Sequence, residues 1–195
     1  RDQPRSRGLG DVYKRQPFTE MLGLCAENGN PDRVYEFAST SKITFAGAGV
    51  SCIAASEDNI RYLLGMLTFQ TIGFNKVNQL MHVRFLKNKA QTLEHMKRQA
   101  AMLKPRFDAV LEQLDRTVAP TGIASWNRPR GGYFISLNAM PGTAKRTLAL
   151  CKQAGVTMTG AGATFPYGVD PRDSNIRIAP SYPTLPELTK AMELF

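Results

Sequence analysis

The hydrophobic pattern changes period several times along the chain. Phe18 to Ala26 reads as a short helix, and Asn28-Gly29-Asn30-Pro31 as a turn. Arg33 to Ala38 predicts a strand. Gly49 to Ala55 predicts a second, apolar nearly throughout, as in a sheet buried on both faces. Ser56 with Asn59 opens a helix over Ile60 to Leu67. Asn75 to Leu86 places Val77, Leu80, Met81 and Phe85 at helical spacing. Thr92 to Leu114 continues helically, with Leu103, Phe107, Val110, Leu111 and Leu114 as a core-facing stripe and Pro105 as an expected break or kink.

The texture then changes. Gly122 to Trp126 and Gly132 to Leu137 predict two strands joined as a hairpin through residues 127–131. Thr143 to Ala154 is an amphipathic helix stopped by Gly155. Val156 to Thr159 and Asn175 to Ala179 predict short strands. Thr184-Leu185-Pro186-Glu187 reads as a capping-box start for a last helix, Leu185 to Phe195. The pattern predicts an α/β protein with a helix-sheet region to about residue 90, a long helix, and a smaller α/β unit after it.

Residues 1–16 stand apart. They have no helical or strand period, and Ser6 to Gln16 resembles a peptide produced when sequencing-adapter DNA is translated by mistake. We expect a non-native tail, outside the fold.

Composition narrows the class. The 195 residues are 43% hydrophobic and 21% charged, ordinary for a globular protein. There is no run of 18 apolar residues, so no transmembrane helix is expected, and no secretory signal opens the chain. Cys25, Cys52 and Cys151 match neither a zinc pattern nor a disulfide framework, which predicts buried free thiols and a reducing, cytoplasmic setting. His82 and His95 fall in helical stretches without a partner at metal spacing. No metal is expected, and both are read as structural or surface residues. The net charge of +9 could suit nucleic acid, but five basic and two acidic residues of the excess lie in the first sixteen, and the rest are scattered. Anionic small molecules fit that balance as well.

The candidate chemistry lies in Ser39-Thr40-Ser41-Lys42-Ile43-Thr44-Phe45-Ala46-Gly47-Ala48-Gly49. A lysine in a Ser/Thr/Gly loop is most often a solvated surface residue. Held at a strand end among small residues, however, such an amine can become nucleophilic by desolvation. Hydroxyls beside it are suited to a phosphate, and lysine with phosphate donors is what a pyridoxal phosphate (PLP) Schiff base needs.

Three stretches in order carry a resemblance. Phe37 to Gly47 resembles the PLP-lysine motif of fold-type I, class I/II aminotransferases. Pro129-Arg130-Gly131-Gly132-Tyr133-Phe134-Ile135 resembles their small-domain hairpin. Gly162 to Pro166 through Asn175-Ile176-Arg177-Ile178-Ala179-Pro180 resembles the segment carrying their carboxylate-binding arginine. Gly73 to Leu80 is similar to a stretch of the bacterial aspartate-aminotransferase-like branch. The resemblance covers residues 18–195. It implies part of the three-layer α/β/α PLP-binding large domain over 17–90, then a linking long helix and the smaller C-terminal α/β domain over 91–195. It also implies that Lys42 bonds PLP and shuttles the substrate proton, that Ser39 and Ser41 donate to the cofactor phosphate, and that Arg177 clamps the substrate α-carboxylate. The implied partners are an amino acid, aspartate first, and a 2-oxo acid, 2-oxoglutarate first, in a homodimer with sites at the subunit interface and with no nucleic acid or membrane.

Two departures limit what is implied. Many members carry a phosphate-binding arginine seven or eight residues after the lysine, where this chain has Gly49 and Val50. The aromatic, Asp and Tyr that contact the cofactor ring belong to an earlier half, and Asp11 and Tyr13 in the foreign tail are not assigned to them. The chain is therefore expected to be the C-terminal part of an aminotransferase, inactive by itself. A PLP lyase or decarboxylase would use the same lysine and arginine. A non-catalytic aminotransferase-like transcription regulator would need a helix-turn-helix, which is not visible.

Overall fold

The computed structural model describes residues 20–45 and 47–195. The expected foreign tail, with Asp11 and Tyr13, and Phe18 and Thr19 of the first expected helix lie outside the described residues. The chain divides into two compact units, one reaching to Lys97 and one from Arg98 to Phe195.

In the first unit, helix α1 (Met21–Glu27) starts where the Glu20 carboxylate accepts the amides of Leu22 and Gly23, at 2.9 and 2.6 Å. A 3₁₀ turn at Pro31–Arg33 occupies the start of the expected strand, because proline fixes φ and supplies no donor to a ladder. The strand proper, β1 (Glu36–Ser39), pairs antiparallel with β2 (Ser51–Ala54), from Glu36↔Ala54 to Ser39↔Ser51. Helix α2 (Glu57–Gln70) begins at Ser56, whose hydroxyl accepts the Asn59 amide as its sequence position predicts. Helix α3 (Lys76–Leu86) is capped by Asn75, which accepts the Asn78 amide at 2.9 Å.

The apolar run of β2 differs from expectation. All four of its residues are exposed, because no layer among the described residues of this unit covers the two-stranded sheet. Cys52 is exposed with it, whereas Cys25 is half-buried and Cys151 buried. Burial pushes the Cys151 thiol above its ordinary range, which favours an inert thiol.

Helix α4 (Lys89–Thr117) starts before the division and ends after it. It continues through Pro105, where a break or kink is expected. Proline removes the amide that would bond the Ala101 carbonyl, at a cost of about 3 kcal/mol. Downstream, Val110 and Leu114 are fully buried, and apolar burial of about 1.5–3 kcal/mol per side chain offsets that loss.

The second unit holds a three-stranded antiparallel sheet of β3 (Ala124–Trp126), β4 (Ile135–Ala139) and β5 (Asn175–Ile178), with β4 central. Helix α5 (Ala144–Gln153) stops before Gly155, whose φ of 88° is the left-handed value the stop requires. The last helix, α6 (Leu185–Leu194), has the predicted capping box at Thr184 and Glu187. Val110, Leu114, Ile135, Leu137, Ala144, Ile176, Ile178, Leu188 and Met192 form one buried cluster. The expected strand Val156 to Thr159 does not form. It joins no ladder, and the Val156 amide instead bonds the Cys151 carbonyl at 2.8 Å.

Among the described residues, no helix is long and apolar enough to cross a membrane.

Candidate active site

In the first unit the Lys42 loop is built outward from the end of β1. The Thr40 amide donates to the Val50 carbonyl, and the Val50 amide donates to Thr40 Oγ1, both at 2.8 Å. The two limbs are thus joined just past the Ser39↔Ser51 pair. The Thr40 carbonyl then accepts the amides of Ile43 and Thr44 at 2.9 Å and the Thr44 hydroxyl at 3.0 Å. That convergence wraps residues 40–44 into a tight turn with Lys42 exposed upon it.

Ser39 and Ser41 meet beside Lys42. Their hydroxyl oxygens are 2.7 Å apart, and the Ser41 amide donates to Ser39 Oγ at 3.1 Å. One of the two hydroxyl protons closes the pair, leaving the other available to an outside acceptor. Gly49 lies against them. A Cβ there would fall 2.3 Å from Ser41 Oγ and 2.9 Å from Ser41 Cα. The loop excludes a side chain at that position and leaves the hydroxyl pair uncrowded. Ser39, Ser41 and Lys42 are therefore brought together, as the sequence suggests.

Arg177 stands on β5 in the second unit, opposite Ser136 of β4. Its guanidinium carbon lies 4.4 Å from the centroid of the Phe134 ring, and Nη2 donates to Thr159 Oγ1 at 3.2 Å. Nε is buried and has no hydrogen-bond partner among the described residues. A buried guanidinium donor without an acceptor is costly, and a carboxylate would supply what it lacks. The loop before β5 is held by Asp170, whose carboxylate accepts the amides of Arg172, Ser174 and Asn175. The Asn175 bond leads the causes that hold this carboxyl below the ordinary Asp range. Asn175 itself is buried, with bonds to Thr164, Ser136 and Asn138 that fix where β5 begins. Burial raises the nearby Tyr133 phenol above its usual range.

His82 and His95, read from the sequence as structural or surface residues, are both tied to the Lys42 turn by hydrogen bonds. Their partners are 38 to 52 residues away, beyond the reach of local periodicity. Asn78, within the quoted Gly73–Leu80 stretch, donates to the Ala48 carbonyl at 2.8 Å.

Known proteins resemble this arrangement. A family model described as aspartate amino-transferase matches residues 9–195. A putative aminotransferase of Mycolicibacterium smegmatis is 51% identical over 174 residues, covering 89% of this chain and 41% of that protein. The crystal structure of an aspartate transaminase from Corynebacterium glutamicum superposes with a TM-score of 0.92 at 42% identity, over 97% of this chain and 45% of that one. At 19% identity and a TM-score of 0.78, a Thermus thermophilus α-aminoadipate aminotransferase, complexed with N-(5'-phosphopyridoxyl)-L-leucine, shares the fold, over 97% of this chain and 46% of that one. The chain belongs to the aspartate amino-transferase family, and its α/β fold is the one these enzymes share. It spans about two fifths of the length of the curated relative.

Proposed function

We propose that the chain is part of a PLP-dependent aminotransferase that moves an amino group from an amino acid to a 2-oxo acid. The observation that carries this reading is the Lys42 turn, an exposed amine beside a paired hydroxyl donor in a loop too tight for a side chain at Gly49. The residues fit the cofactor. Ser39 and Ser41 hydroxyls can turn their protons to phosphate oxygens, and Lys42 Nζ is the amine for the covalent bond. Bound PLP would supply the electron sink that lets the substrate α-proton leave. Lys42 Nζ would carry that proton. Arg177 would orient the substrate by pairing Nε–H and a terminal N–H with its α-carboxylate, and the Phe134 ring and Thr159 hydroxyl keep the fork in place.

The residues at Gly49 and Val50 supply no positive charge to the phosphate. In this proposal its binding rests on hydroxyls, backbone amides or groups outside this stretch. In this proposal residues 17–90 belong to the cofactor-binding large domain, and residues 91–195 comprise the linking helix and the small domain. Aspartate and 2-oxoglutarate are the proposed substrates; similarity to the Corynebacterium glutamicum aspartate transaminase supports the aspartate half. The proposed assembly is a cytoplasmic homodimer of the longer enzyme. Exposed apolar side chains on and beside α2 and α3, among them Phe69, Ile72, Phe74 and Val77, suit surfaces that another part of such an assembly covers. The ring-contacting groups are unassigned in this chain, so alone it is proposed not to turn over.

The test is reductive trapping. Protein treated with PLP and borohydride should carry its label on Lys42, and Lys42→Ala should lose it. Label spread evenly over surface lysines, unchanged by Lys42→Ala, would remove the cofactor assignment. In the longer enzyme, aspartate with 2-oxoglutarate should yield glutamate; release of ammonia or carbon dioxide instead would indicate a lyase or decarboxylase.

A further inference from the structure

His82 is 8% exposed and sits directly behind the Lys42 turn. Its Nδ1 is 2.9 Å from the Asn78 carbonyl, and its Nε2 is 3.0 Å from both Thr40 Oγ1 and Thr44 Oγ1. A carbonyl only accepts, so Nδ1 carries a proton, and Nε2 faces the two threonine hydroxyls. Thr44 Oγ1 already donates to the Thr40 carbonyl. The Thr40 hydroxyl lies 3.0 Å from Nε2 and 3.3 Å from the Val50 carbonyl, while its oxygen accepts the Val50 amide. One imidazole thus joins the outgoing limb at Thr40 to the far side of the turn at Thr44, and Thr40 itself carries the link to the returning limb at Val50.

The next element holds a second point. His95, on α4, brings Nε2 to 2.6 Å from the Ile43 carbonyl, so there Nε2 is the donor. The His95 ring meets Phe85 edge-on at 5.0 Å, and Phe85 lies 5.4 Å from Phe45. Ile43 directly follows Lys42. Asn78, one helical turn before His82 on the same face of α3, donates to the Ala48 carbonyl on the returning limb. The two histidines turn opposite ring nitrogens to backbone carbonyls, Nδ1 in His82 and Nε2 in His95, and bracket Lys42 at Thr40, Ile43 and Thr44.

We propose that His82 and His95 are positioning residues that clamp the Lys42 turn from helices α3 and α4 and fix the direction in which the lysine amine leaves it. The proposal rests on the reading of Lys42 as the cofactor-bonding lysine. The clamp acts through the backbone of the turn, and neither histidine touches a reacting atom.

The experiment compares wild type with His82→Ala, His82→Gln, Thr44→Val and His95→Ala. It follows amide hydrogen exchange at Thr44 and Val50 and the rate of borohydride-trapped labelling at Lys42 by PLP. His82→Ala should speed exchange at both amides at least tenfold and slow labelling severalfold, with exchange in β4 and β5 unchanged. Glutamine places an amide near the Nε2 position, so His82→Gln should bring both readouts to within about threefold of wild type. Thr44→Val removes one contact without touching the imidazole and should loosen the turn less than His82→Ala. His95→Ala should slow labelling with its largest exchange change at Thr44. Unchanged exchange and labelling in His82→Ala, or equal acceleration throughout α2 and α3 with no recovery in His82→Gln, would overturn the proposal. If wild type takes no label at Lys42, the cofactor reading fails separately, and exchange at Thr44 and Val50 still decides whether the histidines hold the turn.

Discussion

Gly49→Ala is the sharpest test of the Lys42 loop. The added Cβ would lie 2.3 Å from Ser41 Oγ, 2.9 Å from Ser41 Cα and 3.0 Å from the Ser41 nitrogen. Unstrained heavy-atom contacts sit at about 3.5–4.0 Å. The hydroxyl can rotate away, but Cα and the nitrogen cannot. Ser41 N is bonded to Ser39 Oγ, and Asn78 holds the facing limb at Ala48. Relief requires the limbs to separate, at a cost of about 1–3 kcal/mol in overpacking. Separation also weakens the two 2.8 Å bonds between Thr40 and Val50, each worth about 0.5–1.5 kcal/mol. The expected local loss is about 2–4 kcal/mol, which corresponds to amide exchange at Val50 faster by roughly 30- to 1000-fold. Gly65→Ala is the control with the opposite sign. A Cβ there meets nothing within 4 Å among the described residues, and the site lies inside α2, so the change should stabilise by about 1 kcal/mol. If Gly49→Ala leaves Val50 exchange and the urea midpoint of the protein unaltered, the tight approach of the two limbs is not a property of the molecule.

Further outcomes are expected elsewhere. In the longer enzyme, Arg177→Lys keeps the charge but loses the fork, so kcat/KM for the amino acid should fall roughly 10- to 100-fold; an unchanged value would remove Arg177 from substrate binding. Leu114→Ala empties a fully buried site in the second unit and should cost about 2–5 kcal/mol in denaturant unfolding. Asp170 has a folded-state pKa below its unfolded value, so its contribution is present above the unfolded pKa and is lost as pH falls through the lower folded one. Acid titration of the second unit should accordingly show a stability loss below the ordinary Asp range, and Asp170→Asn should flatten it. Thr184→Ala removes the capping box and should cost about 1 kcal/mol, read as a lower melting temperature.

The parts legible in the sequence are those governed by near neighbours. Ser56, Asn75 and Thr184 announce their helices because each cap bonds an amide three residues on. Ser39, Ser41 and Lys42 are grouped by the loop because a single residue, Thr40, separates the hydroxyls. Three readings needed information that no local window holds. The β2 run looks doubly buried, but burial depends on layers that the two-stranded sheet lacks among the described residues. Val156 to Thr159 has strand-forming residues, yet a strand exists only where a ladder partner is offered. The histidines look incidental because their hydrogen-bond partners in the turn come from another element. Pro105 is the reverse case, where a local penalty is outweighed by the buried stripe that follows it.

Along β5, Ile176 and Ile178 are buried in the core, while Arg177 between them belongs to the opposite side of the sheet. The direction of the guanidinium is thereby tied to apolar packing, since strand side chains alternate. A slip of β5 by a single residue would exchange them, driving a cation into the interior and two isoleucines outward. Adding or deleting residues ahead of Asp170 leaves that parity alone, whereas an insertion between Asp170 and Asn175 strikes the pin that sets it. Variation in loop length should therefore be tolerated on one side of Asp170 and purged on the other.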